Sequence, residues 1–507
     1  MLFSSITFLY YFLPAVLVIY YLTPAKVKNL ILFLASFVFY LWGEPKYSVL
    51  LLFSVAVGYM GGRCIEYQRQ KKCVCAADPA DRSGKYKGRH DRLVVGIFTA
   101  MTLGLLVFFK YMDFLADSVN RILGTHVSMV QIALPVGISF YTFQIISYYV
   151  DVYRGEVAAE HNFVDFAAYV TMFPQLIAGP IVRFQSVQAE LKHREITWEK
   201  TGEGAARFVC GLCKKVLIAD SLATFVQTLQ NISETAAKTE AVVTTGIRAE
   251  GAGIGTLGYW VLALAFMLQL YYDFSGYSDM AIGISWMLNL DLPVNFDSPY
   301  KAYSVVEFWK RWHISLTGFL TKYIYIPLGG SRKGNLRTYC NTMIVFLCSG
   351  IWHGASWMFV LWGALHGVAM VLTKALKRYG EWIPRILKRS VTLLFINFTW
   401  IIFRTADLKE LREVFRAFLK GGISINPDLF QFFGIAGNRI GEYAILYSIL
   451  LLFSVIGILV FLLIAPNAKE AAEKMKYKVW HGFVAAGIIA LCILHFSGVS
   501  SFVYFNF

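Results

Sequence analysis

The run TMIVFLCSGIWHGASWMFVLWGAL, Thr342 to Leu365, contains no Asp, Glu, Lys or Arg. It exceeds the roughly 20 apolar residues that carry a helix across a bilayer, and His353 lies near its middle. An ionisable side chain at that depth is costly, normally faces a bundle interior or a wet cavity, and marks a functional site by default. Imidazole is also the side chain whose ordinary pKa suits proton transfer near neutral pH. The competing reading is a neutral imidazole that only hydrogen-bonds two helices together.

Outward from this run, the 507-residue chain is 57% hydrophobic and 16% charged, with a mean hydropathy of +0.55. Soluble proteins carry about 25% charged residues, so the composition specifies an all-α, polytopic integral membrane protein. Apolar segments fall near 2–22, 29–43, 47–62, 93–112, 130–150, 205–228, 256–272, 305–327, 339–359, 360–376, 390–403, 443–464 and 480–497. Allowing for short ones, about ten to eleven are expected to span. Leu134-Pro135-Val136-Gly137 and the stretch from Phe173-Pro174 to Gly179-Pro180 are expected to be re-entrant or interfacial, because irregular backbone at depth must be shielded by protein. No internal repeat or long linker divides residues 1–507, so one membrane domain is expected.

Basic residues concentrate at Lys26 and Lys28, in 63–92, from Lys374 to Arg389, and from Lys469 to Lys478. The positive-inside rule assigns these to the cytoplasm and both termini to the opposite side. The net charge of +15 then reflects orientation and anionic headgroups, and no nucleic-acid motif accompanies it. Met1-Leu2-Phe3 has no basic n-region and no small-residue cleavage site follows, so the first segment is expected to be a retained helix. Eight cysteines form neither a disulfide framework nor a zinc pattern; Cys210 and Cys213, one turn apart, lack two further ligands.

Polar chemistry is densest in 271–367. Asp273, Ser275 and Asp279 lie in an apolar context, and are expected to be a structural polar core that caps a helix start or pairs with cations of the following segment. Asn295-Phe296-Asp297-Ser298-Pro299-Tyr300 reads as a turn. In the helical stretch that follows, Trp309, Trp312 and His313 share one face while Lys310 and Arg311 point elsewhere, an aromatic-rich pattern suited to a membrane interface. The turn Gly329-Gly330-Ser331-Arg332-Lys333 offers N–H groups and charge to a phosphate without being a Walker loop. His366, thirteen residues beyond His353, is offset by about 220° on a continuous helix and reads as structural. His90, His126, His161, His193 and His481 fall in or near loops, and His495 is open to either reading.

The motif Phe308-Trp309-Lys310-Arg311-Trp312-His313-Ile314-Ser315-Leu316, the turn Pro327-Leu328-Gly329-Gly330 and Gly350-Ile351-Trp352-His353-Gly354 resemble the signature of the membrane-bound O-acyltransferase (MBOAT) family. The Asp273-to-Asp279 stretch and Trp362-Gly363-Ala364-Leu365-His366-Gly367 are most similar to its bacterial alginate O-acetyltransferase subgroup, with D-alanyl transferases of teichoic acid as cousins. The resemblance implies a bacterial plasma-membrane enzyme with a central tunnel, where a cytosolic thioester meets an acceptor hydroxyl from outside. His353 would act as general base, and His313 would orient the reactants or polarise the carbonyl. Trp309, Lys310, Arg311, Trp312, Lys322, Arg332 and Trp352 would contact donor or substrate, with Lys333 adding charge. No bound cofactor or metal is implied. The co-substrate would be acetyl-CoA or an acyl-carrier thioester. The final acceptor would be a polysaccharide, and the partners membrane lipid, possible cytosolic acyl carriers and an extracellular serine hydrolase-like (SGNH-type) acetyltransferase.

The aromatic tail Phe502-Val503-Tyr504-Phe505-Asn506-Phe507 is expected to fold back into a pocket outside the membrane, since each buried ring removes about 150–250 Å² from water. Similar endings in cell-envelope acyl transfer imply Tyr504 as an intermediate acyl acceptor, the alternative being a tail that only plugs and orders the outer vestibule. Two other classes compete: a transporter, for which broken helices and midplane polar groups also suit, and a noncatalytic assembly subunit. Only for an enzyme is His353 needed for acyl transfer.

Overall fold

The computed structural model describes residues 1–75, 89–242, 255–377, 382–420, 453–467 and 479–496. The tail with Tyr504, the 76–88 part of the basic loop and the run from Lys469 to Lys478 lie outside the described residues. The fold is helical throughout, in the order α1 (Leu13–Leu22), α2 (Lys28–Gly43), α3 (Ser48–Cys75), α4 (Arg89–Leu123), α5 (Ile138–Arg154), α6 (Phe163–Thr171), α7 (Phe173–Leu176), α8 (Phe184–Lys192) and α9 (Trp198–Cys213). It continues with α10 (Ser221–Val242), α11 (Gly255–Met287), α12 (Val305–Arg311), α13 (Ile314–Leu320), α14 (Gly334–His353), α15 (Trp357–Ala375), α16 (Arg385–Arg404) and α17 (Leu408–Lys420). The last two are α18 (Phe453–Ile464) and α19 (Val479–Leu494).

Among the described residues, five helical stretches are long and apolar enough to cross a membrane: Ala25–Gly43, Pro45–Lys71, His90–Leu123, Trp357–Ala375 and Arg385–Arg404. Shorter apolar helices run over Phe8–Leu22, Phe453–Ile464 and Trp480–Leu494. Two expected spans are interrupted. The segment 205–228 carries a π-helical stretch, Lys214–Asp220, and 305–327 is split into α12, α13 and a further π-helical stretch, Thr321–Tyr325. The opening run is two helices, with its break at Gly354 to Ser356.

The centre is α11, buried almost without interruption from Val261 to Met287. It packs antiparallel on α9 through glycines placed seven residues apart in each helix. A Cβ added at Gly211 would lie 2.6 Å from the Gly276 carbonyl oxygen, and one at Gly204 2.6 Å from that of Gly283. Backbones this close leave no room for a side chain, the arrangement favoured where apolar burial alone cannot drive helices together.

The same pairing accounts for the acidic residues of α11. Asp279 accepts from Arg207 Nε at 3.0 Å and Lys214 Nζ at 2.7 Å, while Asp273 pairs with Lys215 Nζ at 2.7 Å. The π-helical stretch lets adjacent Lys214 and Lys215 reach carboxylates six residues apart. This corrects the expectation for Asp273, Ser275 and Asp279 in two respects. They sit inside a helix instead of capping one, and the cations come from the preceding segment, not the following one. The physical reason is that a carboxylate in the interior is stable only when charge-paired and hydrogen-bonded.

Candidate active site

Ser304 starts α12 by accepting the Glu307 backbone N–H at 3.2 Å. The helix ends after two turns because the following backbone is taken by another partner. Trp312 forms an isolated antiparallel bridge with Phe296, with Asp297 N donating to Arg311 O at 2.9 Å and Ile314 N to Asn295 O at 3.0 Å. His313 is thereby held at φ 46°, ψ 54°, a left-handed conformation costly for a residue with a Cβ and typical of functional positions. Its side chain is fully buried. Nδ1 lies 3.1 Å from Asn295 Oδ1, and Nε2 has no protein partner among the described residues.

His353 is the last residue of α14, and Gly354 then turns the chain into α15, which Ser356 caps by accepting the Met358 N–H at 3.2 Å. Gly350 and Gly363 bring the two helices together, each facing a backbone carbonyl of the other. Lys110 reaches in from α4 and donates to the carbonyls of Trp352 at 2.7 Å and His353 at 3.1 Å. Terminal carbonyls of a helix lack intrahelical donors, and a cation is favoured there.

These elements bring the two histidines to one indole. The Trp352 ring centroid is 5.0 Å from that of His353 and 6.1 Å from that of His313, with Phe143 stacked on it at 5.3 Å. His366 is in the same aromatic cluster, 4.6 Å from Trp362, which itself lies 5.1 Å from His353. The helical offset that placed it elsewhere does not apply across the break at Gly354. Both its nitrogens are nonetheless occupied: Trp309 Nε1 donates to Nδ1 at 3.1 Å, and Nε2 lies 3.1 Å from Thr399 Oγ1.

Two cavities flank the end of α14. One, of about 160 Å³, is lined by Trp309, Leu316, Thr342, Ser349, Tyr325 and Lys374. It follows α14 back from Ser349 for about 10 Å. The other, of about 210 Å³, is lined by Lys110, Asp113, Leu134 and Ala355. His353 lies between Ser349 on the first and Ala355 on the second.

Of the other expected contacts, Trp309 and Trp312 are buried in the aromatic interior, not at an interface. Arg311 pairs with Glu307 and Asp297, and Lys322 with Asp151 and Glu156. Lys310, Arg332 and Lys333 are exposed. No group of three His, Cys, Asp or Glu side chains converges among the described residues in a way that could hold a metal ion. Asn295, Lys110 and Lys374 were not singled out from sequence. The signal for Lys110 was present, a lone lysine within the apolar 93–112 segment, whereas Asn295 was hidden because turn formation alone accounts for an Asn before Asp-Ser-Pro.

Residues 155–405 match the membrane-bound O-acyltransferase family. The chain is 38% identical over 463 residues to the probable alginate O-acetylase AlgI of Pseudomonas aeruginosa, an alignment covering 89% of this chain and 81% of that protein. Identity to the probable alginate O-acetylase AlgI of Azotobacter vinelandii is 40% over 427 residues, covering 83% and 79%. Identity to the peptidoglycan O-acetyltransferase of Helicobacter pylori is 35% over 462 residues, covering 84% and 80%.

Proposed function

The chain belongs to the membrane-bound O-acyltransferase family, and from that premise we propose that it moves an acetyl group from a cytosolic thioester to a hydroxyl acceptor across the membrane, for O-acetylation of a secreted or cell-wall polysaccharide. It is a multi-pass membrane acyltransferase. The observation that carries the reading is the meeting of His313 and His353 on Trp352, with one cavity reaching Ser349 and another reaching Ala355, on either side of His353 in the chain. Acyl transfer to a hydroxyl needs a proton removed from the nucleophile and one supplied to the leaving thiolate, and positioned imidazoles do both.

The donor arm enters the cavity beside α14. Lys374, at its far end from His353, opens the basic run assigned to the cytoplasm by charge. The second cavity, bounded by the 130–134 segment after α4, receives the acceptor from the opposite side. Exposed Lys310, Arg332 and Lys333 suit either CoA phosphates or an acidic carrier. The names of the relatives, for alginate and peptidoglycan, support a polysaccharide as final acceptor; an extracytoplasmic acetyltransferase is the proposed relay to it. Tyr504, outside the described residues, is the proposed intermediate acceptor.

Intact-protein and peptide mass spectrometry after incubation with labelled acetyl-CoA tests this. Label on Tyr504 that is lost in Tyr504→Phe and His353→Ala is the expected result. Unlabelled protein with transfer unchanged in Tyr504→Phe would remove Tyr504 from the route, and no thioester consumption would remove acetyl-CoA as donor.

A further inference from the structure

We infer that Lys110 binds the attacking oxygen of the acceptor, and that the cavity it closes admits a phenol and not a sugar; this rests on the acyl-transfer reading above. Lys110 lies within the apolar stretch His90–Leu123 and pairs with no carboxylate among the described residues. A charge at membrane depth is costly and marks a functional position. Its ammonium has three hydrogens to give. Two go to the carbonyls of Trp352 and His353, and the third has only Ser139 Oγ, 3.5 Å away, too long for a strong bond. The ammonium is also 5.9 Å from the centroid of the Trp352 ring on which the two histidines meet. Holding the end of α14 needs donors but not a charge. A positive charge beside His353 gains its use when an oxygen there becomes negative.

The cavity of about 210 Å³ that Lys110 lines has one other polar side chain, Asp113. That carboxylate is taken by its own surroundings, with Oδ1 accepting Val130 N at 2.7 Å and Oδ2 accepting Gln131 N at 3.1 Å. The remaining walls are apolar, among them Phe109, Met112, Ile132 and Leu134. A sugar ring placed here would leave several hydroxyls without partners, which is unfavourable. A phenol brings an apolar ring for these walls and a single oxygen for Lys110.

The step balances without another reactant. His353 takes the phenol proton, the oxygen held by Lys110 forms a C–O bond to the thioester carbonyl carbon, and the C–S bond breaks. The departing thiolate takes the proton back from His353. Lys110 keeps its three hydrogens throughout and offsets the charge on the oxygen while it lasts.

The test uses purified full-length Tyr504→Gly protein, so that the ring of Tyr504 does not compete, with labelled acetyl-CoA and one of three soluble acceptors: phenol, the more acidic 3-nitrophenol, or methyl glucoside. Phenol is expected to be acetylated and the glucoside not. Adding Lys110→Gln, which keeps donors for the two carbonyls but removes the charge, or Lys110→Met, which removes both, is expected to lower phenol acetylation about 10²-fold or more. The loss should fall in kcat, with the KM for acetyl-CoA unchanged. With 3-nitrophenol, whose anion forms more readily, the same variants should stay within about tenfold of the protein that retains Lys110. A Lys110→Gln variant that acetylates phenol normally, or equal losses with both phenols, would reduce Lys110 to a support for α14 and overturn the inference. Acetylation of the glucoside as fast as phenol, or of neither phenol while the unsubstituted protein still consumes acetyl-CoA, would also overturn it. Unsubstituted protein that consumes no acetyl-CoA would instead overturn the reading on which the inference rests.

Discussion

Replacing His353 with alanine lowers acyl transfer by roughly 10²–10⁴-fold, the range lost with a positioned proton-transfer group, while the protein still folds. The fold survives because the end of α14 is held by groups other than the imidazole. Lys110 binds the carbonyls of Trp352 and His353, and Gly350 and Gly363 set the approach of α15. The ring itself contributes packing against Trp352, Trp362 and Phe403. Label transfer from acetyl-CoA, with thermal unfolding in detergent as the folding control, checks both halves. A folded variant with wild-type transfer would favour a conduit or an assembly subunit over an enzyme.

The largest expected effect on stability comes from a residue outside the chemistry. Asp279→Ala leaves Arg207 and Lys214 without their carboxylate at the α9–α11 contact, where Arg207 is only 2% exposed. Removing one partner of a buried ion pair costs about 3–5 kcal/mol, because the remaining charge stays desolvated. Arg311→Ala breaks a pair with Glu307 that is about a third exposed on either side, and such pairs contribute about 0–1 kcal/mol. Thermal unfolding of the two variants should therefore separate clearly. Equal midpoints would show that the α9–α11 charges are not the contact that holds α11 in place.

The run Thr342 to Leu365 made the fold class legible, because a long uncharged stretch has few structural options, and it also marked His353, the one histidine inside it. What it could not reveal was the break at Gly354, set by Ser356 capping and by the close approach of Gly350 and Gly363. Missing that break sent His366 to the wrong face. The pair Asp273 and Asp279 was legible as structural, but not its partners. Lys214 and Lys215 lie about sixty residues earlier, and helical spacing does not anticipate a π-helical stretch. In the same way, His313 was recognisable from its motif, whereas its left-handed backbone and its bond to Asn295 depend on a bridge between distant segments.

The central claim is that His313 and His353 act in one chemical step. The most direct test is a double-mutant cycle on acetyl transfer with His313→Ala, His353→Ala and the combined variant. Residues that act as a unit are strongly non-additive, so the combined variant should be about as impaired as the worse single one. Losses that multiply, each histidine costing its full factor whether or not the other is present, would show that the two act independently and would contradict a shared centre at Trp352.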